Sequence, residues 1–329
     1  MNAITSPIDL DSVLRGPVGN PHEPEIHLIV QSIAAASIDV ATALGDESLG
    51  SARADDIFLA GLASAPIRAV LSAQVDEPIQ FDASASFAVA ITPLDGSGTS
   101  STNAPMGSIF SVVSAPSAGN EATTFLQPGR CQICAAGLVM YGPATVMALS
   151  LGRGTDVFVL DSDNAFVRTR ASVAIPTGIR EVAINAANYR HWDPSVRIYI
   201  DDLLAGADGP RGEDFDLRWT GSVVAETYRI LLHGGILLCP SDARDGHRSG
   251  RLRLVYEAQP VAFLVEQAGG AAVDTTTPVL DRVPQELHER CPLALGSRDN
   301  VDRYVDYSTA PQFTGERSPL FATRGLFRS

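Results

Sequence analysis

The chain has 329 residues, 45% of them hydrophobic, enough for a sizeable core in one large domain or two intimate subdomains. It carries 38 acidic residues against 24 arginines and no lysine, a formal net charge of −14. A field of that sign repels nucleic acid and anionic membrane, so an anionic ligand must be held by local arginines against the global charge.

No apolar run reads as long enough to span a bilayer, and Met1–Gly19 is polar and Pro-bearing rather than leader-like. The expectation is a cytoplasmic protein with neither membrane nor nucleic-acid partners.

In chain order, His27–Leu44 is Ala-rich with apolar residues recurring at three and four, which predicts a helix. Asp55–Ala65 opens with two acids and predicts a second, Asp55 and Asp56 reading as helix-start acids. Ala69–Ser72, Phe87–Ile91, Ser108–Val113 and Asp156–Leu160 are apolar runs suited to buried strands. Pro143–Leu151 reads as a helix among them. After Val173 the character resets, giving a soft boundary near residues 172–180. Glu181–Asn185, Ile236–Cys239 and Leu252–Tyr256 are strand-like, while Ser195–Leu204, Ser222–Leu232 and Pro260–Ala268 are helical. The last two stop at Gly234-Gly235 and Gly269-Gly270, as helices often do. Helices interleaved with strands imply a layered α/β architecture.

Cys131 and Cys134 form a lone C-x-x-C with no second pair at metal spacing, so two small core residues in a buried strand are expected. The six histidines are scattered, without H-x-x-x-H or H-E-x-x-H spacing. The most informative stretch is Thr92–Ser97 (TPLDGS), directly after an apolar strand. An acid followed by Gly-Ser can set a carboxylate on a cation while bare backbone N–H groups approach a phosphate. The same letters are also an ordinary turn signal.

Thr92–Ser97 resembles the D-P-L-D-G-S signature of class I fructose-1,6-bisphosphatases, within the wider sugar and inositol phosphatase superfamily. Met106–Phe110 (MGSIF), Phe125–Arg130 (FLQPGR), Ala135–Gly142 (AAGLVMYG), Asn185–Trp192 (NAANYRHW), Arg218–Glu226 (RWTGSVVAE), Gly234–Pro240 (GGILLCP) and Gly250–Glu257 (GRLRLVYE) continue in family order. Ala268–Ala271 and Leu295–Arg298 close a match running from about Ile26 to Tyr307.

The resemblance implies a layered α/β/α/β/α sandwich of the fructose-1,6-bisphosphatase / inositol monophosphatase type, with an N-terminal half (1–176) carrying the PLDGS loop and a C-terminal sugar-phosphate half (177–329). It implies hydrolysis of the 1-phosphate of fructose 1,6-bisphosphate, in gluconeogenesis or the Calvin cycle; sedoheptulose 1,7-bisphosphate is a further substrate candidate. Asp95, the Leu94 carbonyl and Glu257 fall on positions that hold Mg²⁺, or Mn²⁺, and Glu47, with Asp46 as the alternative, on an acidic one that would assist the water. Asp95, Gly96, Ser97 and Gly98 would cradle the 1-phosphate. Asn185, Arg218, Trp219, Arg251 and Arg253 would hold the rest of the sugar bisphosphate. Without the resemblance, Arg251 and Arg253 read equally as the solvated face of a strand.

The position of Arg218 typically serves a neighbouring subunit, which implies a homo-oligomer, dimer or tetramer. Trp219, Asn188 and Cys239 stand where tyrosines are usual. Thr92, Ala73, Gln74 and Gly50-Ser51 stand where the family has acidic ligands or water-orienting residues. Two-metal phosphoryl chemistry needs several acids, because hard cations demand oxygen donors. The alternative is therefore a catalytically impaired paralogue that binds sugar phosphates or co-assembles with an active member. An inositol-type phosphatase with relaxed specificity is a third, weaker reading.

Overall fold

In a computed structural model of the chain, the described residues are 8–14, 23–44, 49–96, 98, 103–115 and 121–309. Asp46, Glu47, Ser97 and the tail from Ala310 lie outside them.

Nine strands form one sheet: β1 (Ile8–Asp9), β2 (Ala69–Ser72), β3 (Ile79–Gln80), β4 (Phe87–Asp95), β5 (Met106–Ser114), β6 (Ile133–Tyr141), β7 (Val146–Ser150), β8 (Thr155–Leu160) and β9 (Phe166–Arg170). Their order is β1-β9-β8-β7-β6-β5-β4-β2-β3, and the β2–β4 pair is parallel. β4 sends Ala88 and Ala90 to one face and Val89 and Ile91 to the other, and both faces are covered. That two-sided burial is why β4 is an unbroken apolar run rather than an alternating one.

Helices α1 (Leu10–Leu14), α2 (Glu23–Ala43) and α3 (Ser51–Leu62) lie at the outer face, while α4 (Glu121–Thr124) and α5 (Gly129–Gln132) are short connectors. Ile29 and Ile33 of α2 and Phe58 and Leu62 of α3 pack with Val89, Phe110 and Phe158 of the sheet. Each such buried side chain contributes roughly 1.5–3 kcal/mol. By length and composition α2 is apolar enough to cross a membrane, contrary to the sequence expectation. Here its apolar face, including Ile26, Ile29, Val30 and Ile33, is buried in the outer helical layer.

A second sheet, ordered β11-β10-β12-β16-β14, is built from β10 (Glu181–Ile184), β11 (Asp216–Arg218), β12 (Ile236–Cys239), β14 (Ala271–Val273) and β16 (Leu293–Gly296). A separate two-residue ladder joins β13 (Leu252–Arg253) to β15 (Arg290–Cys291). Of the remaining helices, α6 (Pro194–Leu204) and α9 (Arg298–Thr309) cover the outer face of this sheet, while α7 (Val223–His233) and α8 (Gln259–Gln267) fill the layer between the sheets. The result is the expected α/β/α/β/α sandwich.

Four local expectations are corrected. Pro143–Leu151 is not helical: Val146–Ser150 pairs with both β6 and β8, because long-range pairing and two-sided burial outweigh local propensity there. Leu252–Tyr256 is strand only through Arg253, and Leu254–Ala258 turn into a π-helix. Cys131 is exposed on α5 and Cys134 is half-buried, so they are not a buried pair. Asp55 does not sit at a helix start; it lies in the second turn of α3, buried, accepting a hydrogen bond from Ser72 Oγ.

Candidate active site

The site begins where β4 ends. Thr92 pairs with Ile109, but the next registered pair is Asp95 with Gly107, so β4 carries one extra residue. Such a bulge bends its strand and re-aims the side chain that follows. Ser108 Oγ donates to the Pro93 carbonyl at 2.7 Å and holds the bulge in place. Gly96 then turns the chain at φ +80°, a left-handed conformation that suits glycine.

Gly107 provides the second requirement. A Cβ there would meet Val224 Cγ1 at 2.5 Å and the Val139 carbonyl at 2.4 Å. Its absence lets the N-terminus of α7 seat directly on β5, opposite Asp95. Ser222 caps that helix, accepting from Ala225 N at 3.2 Å and donating to Asp95 Oδ2 at 2.8 Å. The Val224 N–H reaches the same oxygen at 3.3 Å. Asp95 is thus fixed at the positive end of a helix.

Glu257 comes from the π-helix, an irregularity that recurs at functional sites. Its Oε2 accepts from the Arg253 N–H at 2.7 Å. Thr92 Oγ1 donates to the Tyr256 carbonyl at 3.2 Å, so the hydroxyl standing at an expected acidic position pins the turn that carries Glu257. Asp95 and Glu257 line one cavity of about 240 Å³ with Asn185, Asn188, Trp219, Cys239 and Arg251. Burial holds the Asp95 carboxyl above the usual range, partly offset by its hydrogen bond from Ser222. Burial, with Asp95 adding to it, pushes Glu257 up to about 7. Burial also pushes the Cys239 thiol up to about 12, so it lines the pocket as a neutral group. Two neighbouring carboxyls that resist ionisation are a pair that a bound cation would draw down.

Asn185, Trp219, Arg251, Asp95 and Glu257 therefore come together as the sequence predicts. Arg218 does not join them. It is exposed at the edge strand β11, 3.6 Å from both Glu181 and Asp216. Arg253 faces a neighbouring basin of about 1010 Å³ instead, its Nη1 donating to the His288 carbonyl at 2.7 Å. Leu94, Gly96 and Gly98 flank Asp95 in the chain without lining the cavity. Sequence reasoning missed Ser222. Its position after a glycine and before an apolar run is an N-cap signal, but nothing local reveals that the cap faces Asp95.

Among the described residues, no three His, Cys, Asp or Glu side chains gather into a metal-binding group. The donor set does not fit an all-protein cluster of divalent ions. It fits the sparser arrangement Mg²⁺ commonly uses, one or two carboxylates with water and substrate phosphate completing the shell.

Comparison with known proteins agrees with this architecture. The N-terminal domain model of fructose-1-6-bisphosphatase matches residues 40–170, and the C-terminal domain model matches residues 175–309. The chain is 44% identical to the class 1 fructose-1,6-bisphosphatase of Rhizobium meliloti, covering 94% of this chain and 95% of that protein. It is 51% identical to that of Nitrobacter vulgaris, covering 84% and 80%. The crystal structure of Leishmania major fructose-1,6-bisphosphatase in its holo form superposes with a TM-score of 0.85 at 28% identity, covering 93% of this chain and all of that one. Members of this family are generally metal-dependent. From bulged strand to capped helix to matched sequence, the chain belongs to the class 1 fructose-1,6-bisphosphatase family.

Proposed function

We propose that this chain hydrolyses fructose 1,6-bisphosphate to fructose 6-phosphate and phosphate, acting in carbohydrate metabolism in the cytoplasm. The observation that carries this reading is the single cavity in which Asp95 and Glu257 meet Arg251, Asn185 and Trp219. Carboxylates that can seat a cation then stand beside a guanidinium that can fork onto a phosphate. The relatives' names support the substrate, and none of the comparisons favours the impaired alternative.

In this reading Arg251 and Asn185 hold the sugar phosphate, and Trp219 covers the ring. The N–H groups of Gly96–Gly98 receive the 1-phosphate. Water adds to phosphorus, the bond from phosphorus to the C1 oxygen breaks, and that oxygen takes a proton from solvent to leave as the sugar hydroxyl. Asp95, Glu257 and the Leu94 carbonyl would hold Mg²⁺ (Mn²⁺ as an alternative), which when bound supplies Lewis-acid polarisation of the phosphate. Ser222 and the α7 N-terminus keep Asp95 oriented, and Glu47 receives the proton of the attacking water. Arg218, exposed on an edge strand beside Leu217 and Trp219, serves a second copy of the chain in a dimer or tetramer. The partition of strands, those of residues 8–170 in the large sheet and those of 181–296 in the second sheet and the short β13–β15 ladder, supports a division near residue 176.

Phosphate release from fructose 1,6-bisphosphate with millimolar Mg²⁺, beside the same assay in chelator and with Asp95→Asn, tests the reading. Metal-dependent release lost in the variant supports it. Saturable sugar-phosphate binding without release would replace it with the impaired alternative.

A further inference from the structure

Between the end of β11 at Arg218 and the start of α7 at Val223, the connector Trp219–Ser222 carries two groups that serve the candidate site. Trp219 lines the cavity, and Ser222 Oγ holds Asp95. Gly221 turns the chain between them at φ +80°, with the Trp219 indole nitrogen 3.9 Å from where a Cβ would stand. Contacts within the connector are weak. Ser222 N–H reaches Thr220 Oγ1 at 3.4 Å, and that hydroxyl reaches the Ser222 carbonyl at 3.4 Å, both longer than usual for such bonds. The short bond comes from outside: Thr220 N–H donates to Glu226 Oε1 at 2.8 Å. A bond to a carboxylate is also the stronger kind.

Glu226 lies in the first turn of α7, yet it is only 1% exposed. The helix dipole favours an acid there, but an exposed acid gains that without losing its water. Burying the charge is costly unless it is paired on both oxygens. Here Oε2 accepts from Arg229 Nε at 3.0 Å. Arg229 is anchored in turn, its Nη1 donating to Glu181 of β10 and to the Gly234 carbonyl at the end of α7. One carboxylate thus ties the connector to α7 and, through Arg229, to β10. An apolar residue of similar size would fill the space without the desolvation cost, but it could not hold the Thr220 amide. Glu226 stands behind the cavity wall rather than in it, near enough that its charge reaches Cys239 on that wall.

We infer that Glu226 is a positioning residue of the candidate active site. Through Thr220 N–H it sets the connector so that Trp219 faces the cavity and Ser222 meets Asp95. It touches neither the sugar nor the metal. What the connector serves rests on the phosphatase reading, whereas the hold of Glu226 on the connector does not.

Three readouts on the full chain test this. In wild type, after correction for intrinsic rates, the Thr220 amide should exchange with deuterium at least about tenfold more slowly than the Gly221 amide beside it. Equal exchange would overturn the inference, and this arm needs no variant to fold. Glu226→Gln keeps the shape but turns an NH₂ group toward one of the two donors, Thr220 N–H or Arg229 Nε. Acrylamide quenching, which samples exposed Trp219 far more than buried Trp192, should then change by about twofold, and the Mg²⁺ needed for half-maximal phosphate release should rise roughly tenfold. Glu226→Asp, with both acceptor oxygens restored, should recover part of each change. A lowered thermal midpoint with quenching and Mg²⁺ dependence unchanged would overturn the inference, leaving Glu226 as a stabilising ion pair alone. Absence of phosphate release by wild type would overturn the phosphatase reading and with it the role in an active site, even where exchange and quenching show the connector held.

Discussion

Ser222 Oγ donates to Asp95 Oδ2 at 2.8 Å, joining the N-cap of a helix in the middle layer to the end of a strand in the large sheet. The same hydroxyl accepts from Ala225 N, so one atom both starts α7 and aims the carboxylate. Ser222→Ala should therefore cost about 1 kcal/mol of stability from the lost cap. It should also lower activity by roughly 10–100-fold, the range for partners that orient a metal ligand, the role proposed for Asp95. Urea unfolding and steady-state kinetics on one preparation separate the two effects; a stability loss with unchanged kinetics would confine Ser222 to capping.

Gly107→Ala inserts a methyl where Val224 and the Val139 carbonyl already stand closer than real Cβ contacts allow. Overpacking of this kind costs about 1–3 kcal/mol. Because the displaced element is the α7 N-terminus, affinity for sugar phosphate should fall along with the midpoint of chemical denaturation.

Thr92→Asp returns a carboxylate to the strand position three residues before Asp95. It removes the donor to the Tyr256 carbonyl and buries a charge, so the metal-free variant should lose about 1–3 kcal/mol. With millimolar Mg²⁺ or Mn²⁺ its thermal midpoint should rise further than that of wild type, because an added charged ligand raises cation affinity. A midpoint indifferent to metal would mean that position 92 does not face the cation.

Asp242 accepts from the Arg244 N–H, its guanidinium and His247, and the Arg244 guanidinium holds its carboxyl well below the usual carboxylate range. A depressed folded value stabilises the fold above the unfolded value of 3.8, and that contribution disappears as pH falls toward the folded one. Thermal midpoints followed from pH 5 to pH 2 should thus fall more steeply in wild type than in Asp242→Asn.

Trp219 lines the cavity at 40% exposure, while Trp192, the other tryptophan, is 4% exposed. Fructose 6-phosphate should change the intrinsic fluorescence of wild type, and Trp219→Phe should abolish that change while leaving Trp192 emission in place.

Much of this site was legible locally because its parts are punctuated. Gly96 after Asp95 marks a turn, Gly221 before Ser222 marks a helix start, and Gly234 marks its stop. The layering was legible from the alternation of apolar strands with amphipathic helices. What local reading misses is set by distance. Val146–Ser150, inside the stretch Pro143–Leu151 that reads as helix, becomes a strand only because β6 and β8 flank it. The π-helix at Leu254–Ala258 is anchored by Thr92, 164 residues away from Tyr256. The displacement of Arg218 from the cavity and of Arg253 to the adjoining basin depends on how β11 and β13 pair, which no spacing encodes.

The most direct measurement is phosphorus NMR of fructose 1,6-bisphosphate incubated with the protein and Mg²⁺. The C1 phosphate resonance should disappear as inorganic phosphate grows in equal amount, with the C6 resonance persisting as that of fructose 6-phosphate. Both ester resonances unchanged under saturating protein, with fructose 6-phosphate still bound, would contradict the assignment of this chain as a working phosphatase.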